Sequence, residues 1–316
     1  MLAGPALALL LAAATARDAP ALDRAVPELD PSIPARVAAA LRAPAGGQRA
    51  AAATRPLVGV PYLASALGEG AGADADPRFR LDAFDCMTFV ETAIALGSAS
   101  TLAEAARALD DVRYAGAPTL AGRNHEVLSQ WIPSNVAKGW IAHAAVAAAG
   151  APVRRETMAF SPESWAAVRA AGRAIAGLPR SRLPSGVFAI DVVAPEDVAA
   201  VAAHLPQGTI ALVVRADQPA RATRITHAGL VVHGPRGEVR VRHATSSKGL
   251  GRVIEEPIDR FARREGRAYP RWPLAGLAFY EVRPNGERLR AVARGVRSPV
   301  RAAGGEAVGS PTRPPL

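Results

Sequence analysis

The stretch "RLDAFDCMTFVETAIALG", residues 80–97, holds Cys86, the one cysteine among 316 residues. Asp85 reads as a helix N-cap, because its short carboxylate can accept the exposed N–H groups of a first turn. Cys86 is then the first helical residue and Thr88 the third. Phe84 and Phe89 fall at N′ and N4, where two apolar side chains staple the incoming chain to the helix. Val90, Ala93, Ile94 and Gly97 continue a buried face. The thiol is thereby held where unpaired N–H groups and the helix dipole favour an anion. Because the thiolate is the nucleophile, this placement predicts a lowered pKa and a reactive Cys86. The competing reading is a small buried hydrophobe at a helix start.

A base partner would decide between the two. His143 among alanines in a predicted helix, His204 before Leu-Pro and His233 beside "GPRG" read as structural or solvated, and His125 in "RNHE" reads either way. His227 in "ITHAGLVV" and His243 in "VRHATSS" lie near opposite ends of two strands joined at "GPRG", the strongest hairpin in the chain. Side chains alternate along a strand, so the two are expected to share a face when opposed residue numbers sum to 470. That needs an odd-length loop such as Gly234-Pro235-Arg236, whereas a four-residue loop would separate them. In the favourable register His227 is the general base for Cys86, and His243 orients it through the other ring nitrogen.

The rest of the chain falls into zones. Residues 1–16 run apolar from Leu2 to Ala14 and end in Ala14-Thr15-Ala16, a secretory signal pattern without its usual basic leader; cleavage is expected after Ala16, giving an exported, periplasmic protein. Residues 17–56 read as a Pro- and Ala-rich linker with one helix, Ser32–Leu41, capped by Ser32. The folded body spans 57–282, and 283–316 is an Arg-rich disordered tail. Within the body, "TLAEAARALDDVRYA", "SPESWAAVRAAGRAIAGL" and "APEDVAAVAAHLPQG" are helical, whereas "TIALVVRA", "THAGLVVHGPRGEVRVRHATSS" and "GLAFYEVRP" are β-branched strands. Helices dominate the first half and strands the second, which predicts an α+β fold.

Composition excludes several classes. The net charge is +10, yet the segment from Arg283 onward carries seven Arg against two Glu, scattered among Gly, Pro and Ala without aromatic interleaving. That describes a solvated tail rather than a nucleic-acid surface. After the first two dozen residues no apolar run is long enough to span a bilayer, so no integral membrane segment is expected once the signal is removed. One cysteine allows no internal disulfide. No Cys/His cluster has metal-ligand spacing, so neither metal nor cofactor is expected. The oligomeric state is not legible.

In order along the chain, "FDCMTFVETAIAL", "RYAGAPTLAGRNHEVLSQWIPSN", "LPQGTIALVV", "THAGLVV", "RHATSS" and "RWPLAGLAFY" resemble the DUF1460 group of amidases within the NlpC/P60 cysteine peptidase superfamily, over about Leu57 to Val282. The resemblance implies a papain-like fold, with the Cys at a helix N-terminus packed on an antiparallel sheet that carries the histidines. It implies N-acetylmuramoyl-L-alanine amidase activity on peptidoglycan fragments, anhydro-muropeptides among them, with Cys86 as nucleophile, His227 as base and His243 as third member. Tyr62 is expected near the oxyanion, with an ordinary half-buried aromatic the alternative, and Asp85 as a cap with a second role toward substrate. Asn124, His125 and Trp131 are expected to line the cleft, with a core position the alternative for Trp131, and Ser246 to contact the sugar or peptide of the substrate. Glu91 reads as a solvated or locally paired side chain. Met87 and Thr245 depart from the family's commoner residues. The alternatives are a D-glutamyl endopeptidase and an inert wall-binding protein.

Overall fold

A computed structural model describes residues 30–146, 150, 152–172 and 178–296. Eight strands form one antiparallel sheet: β1 Ile141–His143, β2 Val153–Phe160, β3 Gly186–Val193, β4 Thr209–Arg215, β5 Ile225–His233, β6 Val239–Thr245, β7 Arg252–Pro257 and β8 Leu274–Val282. Their order is β2-β3-β8-β4-β5-β6-β7, with β1 also pairing β8. In β4 every residue is buried, so its sequence is a continuous apolar run rather than an alternation. Alternation survives in which core each side chain enters. Ile210, Leu212 and Val214 join one core cluster, whereas Ala211 and Val213 join another on the opposite face.

Helices α1 Ser32–Ala40, α2 Gly47–Thr54, α3 Cys86–Ser98 and α4 Leu102–Arg113 contribute to the first cluster. Helices α7 Val198–Ala202 and α8 Ile258–Ala268 contribute to the second. Of the remainder, α5 Ile132–Ala137 follows a π-helical turn, α6 Pro162–Ala170 contacts β2 and α9 Gly286–Ala293 contacts α4. The result is an α+β fold with a sheet between two helical layers.

The expected zones need correction at both ends of the body. Residues 30–56 are not a linker: α1 and α2 bury Val37, Ala50, Ala51 and Ala53, and Arg242 of β6 donates to Ala51 O and Thr54 Oγ1, both at 2.6 Å. Small residues form the α2–α3 contact: a Cβ at Gly97 of α3 would meet Ala50 Cβ of α2 at 3.1 Å. Ser32 does not cap α1; its N–H is accepted by Asp30 Oδ1 at 2.9 Å. The start of the proposed tail is helix α9, capped by Asn285 and held by Arg288 on Asp111 at 2.8 Å. His143 ends a strand, packed on Tyr280 with ring centroids 4.9 Å apart, rather than lying in a helix. The signal-peptide assignment, residues 17–29 and the tail beyond Val296 fall outside the described residues. Among the described residues, no helix is long and apolar enough to cross a membrane.

The hairpin carrying both histidines closes one residue further along than expected. Opposed pairs such as Leu230↔Arg242 and Val231↔Val241 sum to 472 rather than 470. Gly234 N–H donates to Glu238 O at 2.8 Å, which makes Pro235-Arg236-Gly237 the loop. Its last residue must be left-handed to match the twist of the flanking strands, and Gly237, at φ +81°, is the residue that takes this conformation readily. Because the loop length stays odd, His227 and His243 still share a face. They are diagonal neighbours rather than directly opposed.

Candidate active site

The first turn of α3 is built as its sequence dictates. Asp85 Oδ1 accepts Thr88 N–H at 2.7 Å, and Asp85 N–H donates to Thr88 Oγ1 at 2.9 Å, completing a reciprocal capping box. Phe84 and Phe89 meet edge to face at 5.8 Å. Ser65 N–H donates to the second Asp85 oxygen at 3.1 Å, so one oxygen caps the helix and the other holds the preceding loop. Cys86 is therefore the first helical residue and is fully buried.

The backbone N–H groups of Met87 and of Ala228, the residue that follows His227 in β5, lie near enough to the thiol to favour its anion. Ala228 lies past the last β5–β6 pair, Leu230↔Arg242, so its N–H on that side is free for sulfur. A β-bulge adjoins this point: Val213 opposes His227 and Val214 opposes Ile225, leaving Thr226 as the extra residue. Bulges re-aim strand side chains, and this one immediately precedes His227.

The two histidines meet. His227 Nε2 lies 2.8 Å from His243 Nδ1, and His243 Nε2 lies 2.9 Å from Glu256 Oε1. Arg264 of α8 holds the same oxygen through Nε at 3.0 Å and Nη2 at 2.8 Å. Phe261 closes the pair from α8, stacked on His227 at 5.7 Å and edge-on to His243 at 5.1 Å. Gly229, opposite His243 in this register, makes room for it: a Cβ there would meet Val241 Cγ1 at 2.5 Å and His243 Cβ at 3.0 Å.

The electrostatics differ from the expectation at Cys86. Burial, reinforced by the Asp85 charge, pushes the thiol well above its ordinary value, outweighing the two N–H groups that pull it down. Burial likewise holds His227 well below the usual histidine range, helped by the charges of His243, Arg264 and Arg215. His243 is lowered by burial although Glu256 pulls the other way. The resting site is thus a neutral thiol beside neutral imidazoles rather than a preformed ion pair. For Glu256, burial works upward, but hydrogen bonds from His243 and Arg264 prevail and keep the carboxylate ionised.

The other expected residues divide. The Tyr62 hydroxyl is buried near Ser246, Cys86 and Asp85, with no acceptor in normal hydrogen-bond geometry among the described residues. Ser246 is therefore also at the site. Tyr269, at the end of α8 and absent from the sequence reading, lies within electrostatic reach of Cys86 and Tyr62. Asn124 and His125 make no hydrogen bond to the Cys86–His227–His243 group. His125 Nε2 bonds Leu120 O at 2.6 Å, and burial brings its pKa down to about 4. Trp131 belongs to the core rather than the cleft wall: it is 1% exposed and donates its indole N–H to Glu91 at 3.1 Å. Glu91 is not solvated but buried, paired with Arg113 at 2.5 Å from twenty-two residues away.

Glu256, Arg264, Phe261 and Tyr269 went unread because residues 252–269 carry no motif. A signal existed: Ile258, Phe261, Ala262 and Glu265 are buried at the spacing of one helix face.

These features define the class: an α+β protein with an antiparallel sheet, a buried thiol at a helix start and a histidine pair on the adjoining strands. A family model described as AmiA-like, N-acetylmuramoyl-L-alanine amidase-like, matches residues 52–266, and the chain belongs to that family. Among solved structures it is similar to a Legionella pneumophila protein of the DUF1460 family at 19% identity and TM-score 0.60, covering 80% of this chain and 89% of that one. It is also similar to an N-acetylmuramoyl-L-alanine amidase from Bacteroides uniformis at 17% identity and TM-score 0.54, covering 80% and 99%. At these identities the likeness is one of fold. No curated protein matches.

Proposed function

We propose that this chain is a cysteine amidase that hydrolyses the bond between the lactyl group of N-acetylmuramic acid and L-alanine in peptidoglycan fragments. The observation that carries the reading is the placement of Cys86 beside β5 at Ala228, the residue after His227, whose ring is held through Nε2 by His243. That leaves His227 Nδ1 as the nitrogen to exchange a proton with Cys86. The amidase-like family supplies the substrate class. The arrangement supports a papain-like site of the NlpC/P60 kind.

Both groups rest neutral, so the proton moves with the attack rather than before it. As Cys86 sulfur bonds to the lactyl carbonyl carbon, its proton passes to His227 and the carbonyl electrons move onto oxygen. N–H groups of the first turn of α3 and the unpartnered Tyr62 hydroxyl are the donors for that oxyanion. Collapse breaks the C–N bond, and the imidazolium gives its proton to the departing L-alanine amine. Water, deprotonated by His227, then attacks the thioester and the C–S bond breaks; the first proton returns through His227 to Cys86 sulfur, and the lactyl acid released loses its own proton to solvent.

The test is digestion of defined muropeptides, with and without an anhydro sugar, followed by product mass. Wild type is expected to release the intact stem peptide, and Cys86→Ala to release none. Equal product from both would sink the proposal, whereas cleavage after D-glutamate would make the chain an endopeptidase. No turnover of any fragment would favour a wall-binding role. Export to the periplasm is part of the same reading, checked by fractionating cells that express the full chain.

A further inference from the structure

We infer that Glu256, gripped by Arg264, is a positioning residue that fixes the proton of His227 on Nε2 and leaves Nδ1 bare as the base. An ionised carboxylate can only accept, so the 2.9 Å contact between Glu256 Oε1 and His243 requires a proton on His243 Nε2. A neutral imidazole carries one N–H, so His243 Nδ1 is then an acceptor. The 2.8 Å contact between His243 Nδ1 and His227 Nε2 therefore requires the proton of His227 to sit on Nε2. The only nitrogen left for the thiol proton is Nδ1, and it is unprotonated.

The same geometry shows what Glu256 prevents. Arg264 Nη2 lies 3.4 Å from His243 Nε2, and a guanidinium can only donate. Without the carboxylate that takes its donors, Arg264 would turn His243 into an acceptor at Nε2, with its proton on Nδ1. His227 would then have to accept at Nε2 and carry its proton on Nδ1, facing Cys86 with no lone pair. Solvent cannot relax this constraint, because His243 is fully buried and Phe261 covers both rings. Charges reaching the pair come from Arg215 on β4, Glu256 on β7 and Arg264 on α8, and Glu265 on α8 pairs with both arginines.

The inference rests on the amidase reading only for its effect on rate, so the test has an arm that needs no substrate. In full-length protein with 15N-labelled histidine, long-range 1H–15N spectra at neutral pH are expected to show the Nε2–H tautomer for both His227 and His243. Glu256→Ala is expected to move the His227 proton to Nδ1. On a muropeptide, kcat should fall about 100-fold with KM within about twofold, because Glu256 acts through other residues rather than on substrate. Removing the misdirecting donor as well, in Glu256→Ala/Arg264→Ala, should recover about tenfold of that loss, whereas a purely structural role predicts a further fall. An Nδ1–H tautomer at His227 in wild type overturns the inference, and this arm stands even where a variant fails to fold. A Glu256→Ala enzyme with unchanged kcat overturns it too. If wild type cleaves no muropeptide while the tautomers behave as stated, the amidase reading falls and the assignment of Glu256 stands.

Discussion

At the scale of single residues, the helix start does not by itself make Cys86 a thiolate. Two N–H groups stabilise the anion, but removal from water costs more, and the Asp85 charge that caps the helix adds to the cost. Alkylation by iodoacetamide should therefore be slow at neutral pH in the free protein and accelerate only above the ordinary thiol range. Slow labelling would accordingly not argue against catalysis; rapid labelling below pH 7 would contradict the neutral resting pair. The acid limb of activity has the opposite displacement. His227 must be neutral to act as base, and its pKa lies well below the usual value, so kcat/KM should persist as pH falls through about 6.5. A pH–rate profile with its acid limb at or above that value would overturn the assignment of His227 as base.

At the scale of elements, the decisive feature is how β5 and β6 part. They pair from His233↔Val239 to Leu230↔Arg242, after which β6 continues against β7 through His243↔Ile254 and Ala244↔Val253. The opening admits the Cys86 thiol to Ala228 and gives His243 room over Gly229. Gly229→Ala should therefore act on the site more than its size suggests. Its methyl would force Val241 or the backbone bearing His243 to shift, costing about 1–3 kcal/mol of stability and a larger share of kcat than of KM. Thermal melting alongside kinetics checks both halves; an enzyme with unchanged kcat would mean that His243 tolerates displacement.

On the scale of the whole molecule, α3 is fixed from below by a buried ion pair and from the side by the N-terminal helices. Glu91 and Arg113 are both nearly inaccessible, and Glu91 also accepts from Trp131. Glu91→Ala would strand the Arg113 charge in the core, and a loss of about 3–5 kcal/mol is expected, read from denaturant unfolding. Glu91→Gln, which keeps an acceptor for Trp131, should cost less. Deleting residues 1–56 would uncover the core face of α3 and take from Arg242 the acceptors at Ala51 and Thr54. Such a chain is expected to lack a cooperative melt by circular dichroism, and a cooperative one would show that the body folds from Leu57 onward.

The sequence by itself determined whatever local chemistry suffices to specify. Asp85, Thr88 and the two phenylalanines build the start of α3 from contacts within five residues, and alternation through "THAGLVV" and "VRHATSS" sets two strands with their histidines on one face. Even there, the loop moved by one residue, because the left-handed position had to fall on Gly237. What depends on distant partners was decided by tertiary structure. Alanine-rich residues 47–54 read as linker, since nothing nearby says that a second helix will use their smallness as a packing surface. The pKa of Cys86 was set by burial, which no helix-terminus argument contains. Glu256 and Arg264 were invisible for the same reason: a carboxylate and a guanidinium eight residues apart mean nothing until a sheet and a helix bring them to the far side of His243, where one proton position fixes the next.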